Sequence, residues 1–129
     1  MPQVKVFGLR GNLEAVQDGL ADAIHSSIRD ALGVTSDKRF QRYFSFDPES
    51  FLHGPGRSDQ YTVIEIFIFE GRTEATRKRL IHLLVERIRD TVGIPTDDIE
   101  IMIFELPRCN WGVRGMTGDE LHLDYPIDR

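Results

Sequence analysis

The chain has 129 residues, enough for one compact domain with a core of its own. It is 40% hydrophobic and 29% charged with a formal net charge of -5, an ordinary globular balance that argues against a nucleic-acid partner, which would need a basic patch. No apolar run reaches the roughly 18 residues of a membrane span, no leader-like segment opens the chain, and the lone cysteine, Cys109, excludes an intrachain disulfide, so a cytoplasmic protein is expected.

Val4 and Val6 alternate with Lys5 and Phe7 in a first strand that Gly8 and Gly11 are expected to end. Asn12 is the expected N-cap of a helix whose apolar stripe is Leu13, Val16, Leu20, Ile24, Ile28 and Leu32. Gly33 should stop it, since glycine accepts the left-handed C′ conformation. A second strand is expected near residues 39–46, closed by Asp47-Pro48. After a Gly- and Pro-rich loop, the apolar run from Thr62 to Phe69 reads as a central strand buried on both faces. Thr73 then N-caps a helix with Leu80, Leu84, Ile88 and Val92 on one face and Gly93 at its end. Ile99, Ile101 and Ile103 alternate along a fourth strand, and the tail from Arg108 reads as irregular, with one short strand allowed.

The order is βαβ followed by βαβ, and the halves match at a constant offset of 60. Phe7 pairs with Phe67, Gly11 with Gly71, Leu20 with Leu80, Ile28-Arg29-Asp30 with Ile88-Arg89-Asp90, Gly33 with Gly93, Phe44 with Phe104 and Phe51 with Trp111. This is the pattern of an internal duplication, giving a single domain of two pseudo-repeats, 1–58 and 59–129. Right-handed crossovers put both helices on one face of a four-stranded mixed sheet. The fold class is therefore α+β, with a bare apolar sheet face that other copies of the chain would cover.

Several short motifs in order carry a resemblance that spans nearly the whole chain: Pro2 with its strand, Gly33-Val34, Arg39-Phe40-Gln41, Gly56-Arg57-Ser58, Gly71-Arg72-Thr73, Gly93-Ile94, Trp111 and Thr117-Gly118-Asp119. With the duplication, they make the sequence resemble the tautomerase superfamily, in particular the fused two-unit members of the malonate semialdehyde decarboxylase-like branch. The resemblance implies βαβ units, a homotrimer, no cofactor, no metal, and small carboxylic acids as substrates. It also implies a catalytic proline exposed by removal of Met1. Lys38 stands where the decarboxylase has an aspartate, and Glu70 lies about where it has one of its two arginines.

A free prolyl amine at Pro2 would be a secondary amine with a reference pKa of about 7.7–8.0. Apolar surroundings or nearby cations lower that value and make a general base, whereas a carboxylate raises it and makes a general acid. The bland alternative is a proline that only begins a strand. Arg72, before a helix, could hold a carboxylate in bidentate fashion and stabilise an enolate, or could be a solvated arginine. Arg39 is a second candidate for substrate binding. Asp37 could assist the amine, although its twin Asp97 favours a repeated turn residue. Phe40 and Trp111 are candidate pocket walls, and Trp111 could equally pack between subunits. The four histidines lack metal-ligand spacing. The expected activity is keto–enol tautomerisation of small keto or enol acids. Hydration, decarboxylation or dehalogenation on the same scaffold, or a non-catalytic oligomer, are the alternatives.

Overall fold

The computed structural model describes residues 2–128. The expected loss of Met1 concerns a residue outside them. Strand β1 (Gln3–Leu9) leads into helix α1 (Arg10–Leu32) and strand β2 (Gln41–Phe46). Strand β3 (Thr62–Phe69), helix α2 (Glu74–Val92) and strand β4 (Ile99–Leu106) repeat the order. The strands form one sheet ordered β2-β1-β3-β4. Each βαβ crossover joins a parallel pair, and the central pair β1–β3 is antiparallel. The expected α+β architecture is the one the chain adopts.

Both helices lie on one face, as the two right-handed crossovers require. Val4 and Val6 of β1 and Ile64, Ile66 and Ile68 of β3 are buried against Leu13, Leu20, Ile24 and Ile28 of α1 and Leu80, Leu84 and Ile88 of α2. Burying each such Leu or Ile side chain is worth about 1.5–3 kcal/mol. The helices run antiparallel and close together. A Cβ at Gly19 would stand 2.7 Å from the Val92 side chain. Farther along, Arg87 pairs with Asp30 at 2.7 Å, and Arg79 donates to the Asp30 carbonyl at 2.8 Å. Both helices end as the glycines require, with φ of 72° at Gly33 and 75° at Gly93 and their amides bonded to the Arg29 and Arg89 carbonyls. Thr73 caps α2, its hydroxyl accepting from the Thr76 amide at 3.1 Å.

Three expectations need correction. Gly8 lies inside β1, where it leaves room for Leu13: a Cβ there would meet Leu13 Cγ at 2.9 Å. Helix α1 accordingly starts at Arg10 straight from the strand, with Leu9 as a cap that makes no side-chain bond. Asn12 is thus a first-turn residue, and its amide reaches the Gln60 carbonyl at 3.5 Å. Strand β3 is not buried on both faces. Val63, Glu65 and Phe67 are only half-buried, because in the single chain nothing covers the second face of the sheet.

That second face is aromatic. Phe7 stacks on Phe44 at 5.0 Å, and Phe67 stacks on Phe104 at 4.7 Å. The tail, expected to be irregular with one short strand, instead holds two, paired in a hairpin: β5 (Gly112–Val113) with β6 (Met116–Thr117). Arg108 fastens it: its guanidinium donates to the Gly118 carbonyl at 2.9 Å and the Leu121 carbonyl at 2.8 Å, and lies 5.7 Å from the Phe69 ring centre.

Candidate active site

Pro2 is buried and opens β1, a central strand. The Val4 amide donates to the Phe40 carbonyl at 2.9 Å, and Val4 pairs with Gln41. Two residues back in this parallel register, Pro2 falls beside Arg39, with Lys38 next. In the antiparallel direction Gln3 pairs with Phe67, so Pro2 also lies by the last turn of β3. The start of β1, the approach to β2, the end of β3 and the tail after β4 therefore share one end of the sheet.

Two depressions flank that end. One, of about 270 Å³, lies between the approach to β2 and the tail. Lys38, Arg114, His122 and Asp124 supply its polar groups, and Val113 and Tyr125 form part of its apolar wall. The other, also about 270 Å³, lies on the bare sheet face and is lined by Gln3, Lys5, Arg42, Phe67, Leu106 and Trp111. Trp111 meets Phe69 edge-on at 4.8 Å, an arrangement worth about 0.5–1.5 kcal/mol beyond area burial.

The residues singled out in the sequence are placed as follows. Trp111 lines the sheet-face depression. Phe40 is 37% exposed and lines neither depression. Arg39 turns back to α1 and pairs with Asp22 at 2.8 Å. Asp37 points to solvent and accepts from the Thr35 hydroxyl, which holds its carboxyl below the ordinary carboxylate range. That contact spans two residues, as in a turn. Arg72 is buried at 5% exposure. Its guanidinium donates to the Leu32 carbonyl at the end of α1 at 2.9 Å and lies 6.0 Å from the Tyr125 ring centre. Arg72 lines neither depression.

Two residues were missed as parts of this region. Lys38 keeps only 17% of its side chain exposed, 3.7 Å from Asp37, and reaches the tail cavity. The signal was available, since it stands in the register place of an acidic group beside Pro2. Arg108 holds the tail by tertiary bonds that no local pattern announces. Among the described residues no cluster of His, Cys, Asp and Glu could hold a metal ion, and no helix is long and apolar enough to cross a membrane.

What the arrangement offers chemically is a buried prolyl group on the sheet end where Lys38 and Arg114 border a cavity, cations suited to anionic ligands. Comparison with known proteins agrees with the fold. A 2-hydroxymuconate tautomerase of Pseudomonas putida is 35% identical over 57 residues, which are 44% of this chain and 90% of the relative. The crystal structures of malonate semialdehyde decarboxylase, described as a basis for its decarboxylase and hydratase activities, match at TM-score 0.79 with 26% identity, over 88% of this chain and 92% of that one. A fused 4-OT that forms an asymmetric trimer matches in fold at TM-score 0.80 with 21% identity, over 91% of this chain and 96% of the other. Residues 38–114, more than half of the sequence, match the family described as tautomerase enzymes, and the chain belongs to that family.

Proposed function

We propose that this tautomerase-family enzyme uses the amine of Pro2, freed by removal of Met1, to move a proton on a small keto or enol carboxylic acid without a cofactor. The observation that carries the reading is the position of Pro2: buried, at the start of a central strand, on the sheet end where Lys38, Trp111 and the tail gather. Burial and the neighbouring cation both disfavour a charged amine. The amine is then neutral at physiological pH and acts as a general base on the carbon α to the carbonyl. The same proton, now on the ring nitrogen, is returned to the enolate to complete the tautomerisation.

The assembly proposed with it is a homotrimer that covers the bare sheet face. Its support is the exposed aromatic pairs of that face and the trimeric state of the fused 4-OT. The chain is further read as one domain of two pseudo-repeats, 1–58 and 59–129, which rests on the matched residues sixty apart.

Intact-mass measurement of the native protein tests the first requirement, a mature chain beginning at Pro2. Kinetics of Pro2→Ala on phenylenolpyruvate test the second. Alanine keeps an amine but makes it primary and mobile, so kcat/KM should fall by about 10²–10⁴-fold. Retention of Met1, or full activity in Pro2→Ala, removes the amine from the mechanism.

A further inference from the structure

We propose that Lys38 and Arg114 form a carboxylate-binding pair in the cavity under the C-terminal tail, and that this pair holds the acid group of the substrate. That the bound acid is the substrate rests on the Pro2 reading; that the cavity binds a small carboxylate does not.

The first observation is charge. The cavity receives Lys38 and Arg114 against one carboxylate, Asp124, so its balance is cationic in a protein of formal net charge -5. Arg114 has no ion-pair or side-chain hydrogen-bond partner among the described residues, so its planar fork is available to a bidentate anion. The volume, about 270 Å³, lies just below the range of drug-sized pockets, which starts near 300 Å³. A small acid fits that space. A nucleotide or a peptide does not.

The second observation is backbone strain. Arg114 and Gly115 are the two central residues of the β5–β6 hairpin, with φ of 53° and 77°. Positive φ at both places is what a type I′ turn requires, and Asn-Gly is the sequence that suits it best. A bulky non-glycine residue in this region is an outlier, and Arg114 is the only one among the described residues. Strain of this kind persists where a side chain is needed for something other than the turn. Here the side chain that the turn would not choose is the one that brings a guanidinium to the cavity.

The third observation is the contrast with the equivalent place sixty residues on. There Asp98 replaces Lys38. It is buried, and its carboxylate is closed off by the Ser58 amide at 2.7 Å and the Ser58 hydroxyl at 2.5 Å. The anion at the second end is thus tied up by its own loop. The Lys38 end has a cation that borders a cavity where the second end has a buried, bonded anion.

Succinate, which has no keto–enol system to turn over, serves as the probe. Trp111, the single tryptophan and the residue just before β5, reports its binding by fluorescence. Saturable binding is expected in the unaltered protein, with none for dimethyl succinate. Lys38→Gln and Arg114→Asn should each weaken it about tenfold or more, the cost of one charge-assisted hydrogen bond. Because asparagine suits the turn, Arg114→Asn should keep or raise the melting temperature while it loses the ligand. Equal binding in both variants, binding of the diester, or no binding to the unaltered protein would overturn the proposal. So would a lower melting temperature in Arg114→Asn, which would make Arg114 a fold residue. Binding is read without turnover, so this result stands apart from the Pro2→Ala kinetics: either reading can fail while the other holds.

Discussion

Lys5 and Glu65 face each other across the β1–β3 pair and are also sixty residues apart in the chain. Only a local two-fold axis passing between these two residues satisfies both relations. The axis sends the first unit's Pro2 end to the opposite end of the sheet in the second unit. There Thr62 takes the place of Pro2, Asp98 that of Lys38, and Phe51 that of Trp111. Phe51 and Trp111 each follow a short 3-10 turn, Pro48–Ser50 and Arg108–Asn110. The second end has no proline in the place of Pro2, and its Asp98 is bonded to Ser58. The chemistry proposed for Pro2 is thus expected once per chain.

Asp98 is the clearest stability test of this arrangement. Its carboxylate is 2% exposed and takes two hydrogen bonds from Ser58, which tie the loop before β3 to the turn before β4. Asp98→Ala should cost about 2–4 kcal/mol, since donors are left unpaired in a part-buried place. Urea unfolding measures it, and activity at the Pro2 end should be kept in the fraction that folds. A loss below about 0.5 kcal/mol would mean that water replaces the carboxylate without penalty.

The bare face predicts assembly. Phe44 and Phe104 are each 39% exposed in the single chain, stacked on Phe7 and Phe67 in equivalent pairs. Four aromatic rings on one face are a surface that a soluble chain covers. Phe44→Asp with Phe104→Asp should turn a trimer into monomers in sedimentation equilibrium, with the helical content retained. A stable monomer of the unaltered chain at micromolar concentration contradicts the trimer.

The strands and helix ends were legible because each rests on a local rule. Thr62–Phe69 is apolar and β-branched, and Gly33 and Gly93 sit where only a left-handed residue ends a helix well. The start of α1 was not legible, because Gly8 answers to Leu13 across the fold rather than to its own neighbours. The candidate site was legible only in part. The positions of Pro2 at the head of β1 and of Trp111 after β4, though not their roles, follow from strand order and repeat. From sequence Arg72 is a candidate carboxylate-binding residue or a solvated arginine at a helix start, and neither reading announces that it turns inward to the Leu32 carbonyl at the end of α1. Lys38 is one residue away from Asp37, and which of the two faces the cavity depends on a turn that Thr35 sets.

That inward turn changes what Arg72→Ala should do. If the residue held only a substrate carboxylate, the variant would lose kcat/KM and keep its stability. With the Leu32 carbonyl and the Tyr125 ring as its contacts, it should lose about 2–4 kcal/mol of stability, the cost of a buried charge-assisted bond. Lysine should rescue poorly, since it has no planar fork to reach both. Denaturation and kinetics on the same preparation separate the two roles.

His25 gives a pH signature. It is buried on α1 with Nε2 donating to the Ser36 carbonyl at 3.0 Å. Burial is the largest cause holding its pKa below 6.5, with repulsion from Arg39 and Arg29 added; the Ser36 bond and Asp22 pull the other way. The unfolded chain therefore binds this proton more readily. The contribution is fully present above pH 6.5 and is lost as pH falls through the lower folded value. Urea unfolding at pH 7.5, 6.5 and 5.5 should show falling stability, and His25→Gln should flatten that slope.

The last prediction joins Lys38 to Pro2. In kcat/KM the acid limb of the pH–rate profile reports the free enzyme's base, whatever happens to substrate affinity. If that base is the Pro2 amine, burial and the half-buried Lys38 cation should place the limb below the ordinary α-amino range of about 7.7–8.0. Lys38→Gln removes the cation but leaves the apolar setting, so the limb should move up by about 1 unit. Lys38→Glu puts a carboxylate near the amine and should move it further in the same direction. At neutral pH both variants would then hold more of the amine as its conjugate acid and lose turnover for that reason, and raising the pH should restore part of it. A variant that merely binds substrate less well would lose rate equally at every pH. An unmoved limb in both variants would separate Lys38 from the amine and leave it only the carboxylate to hold.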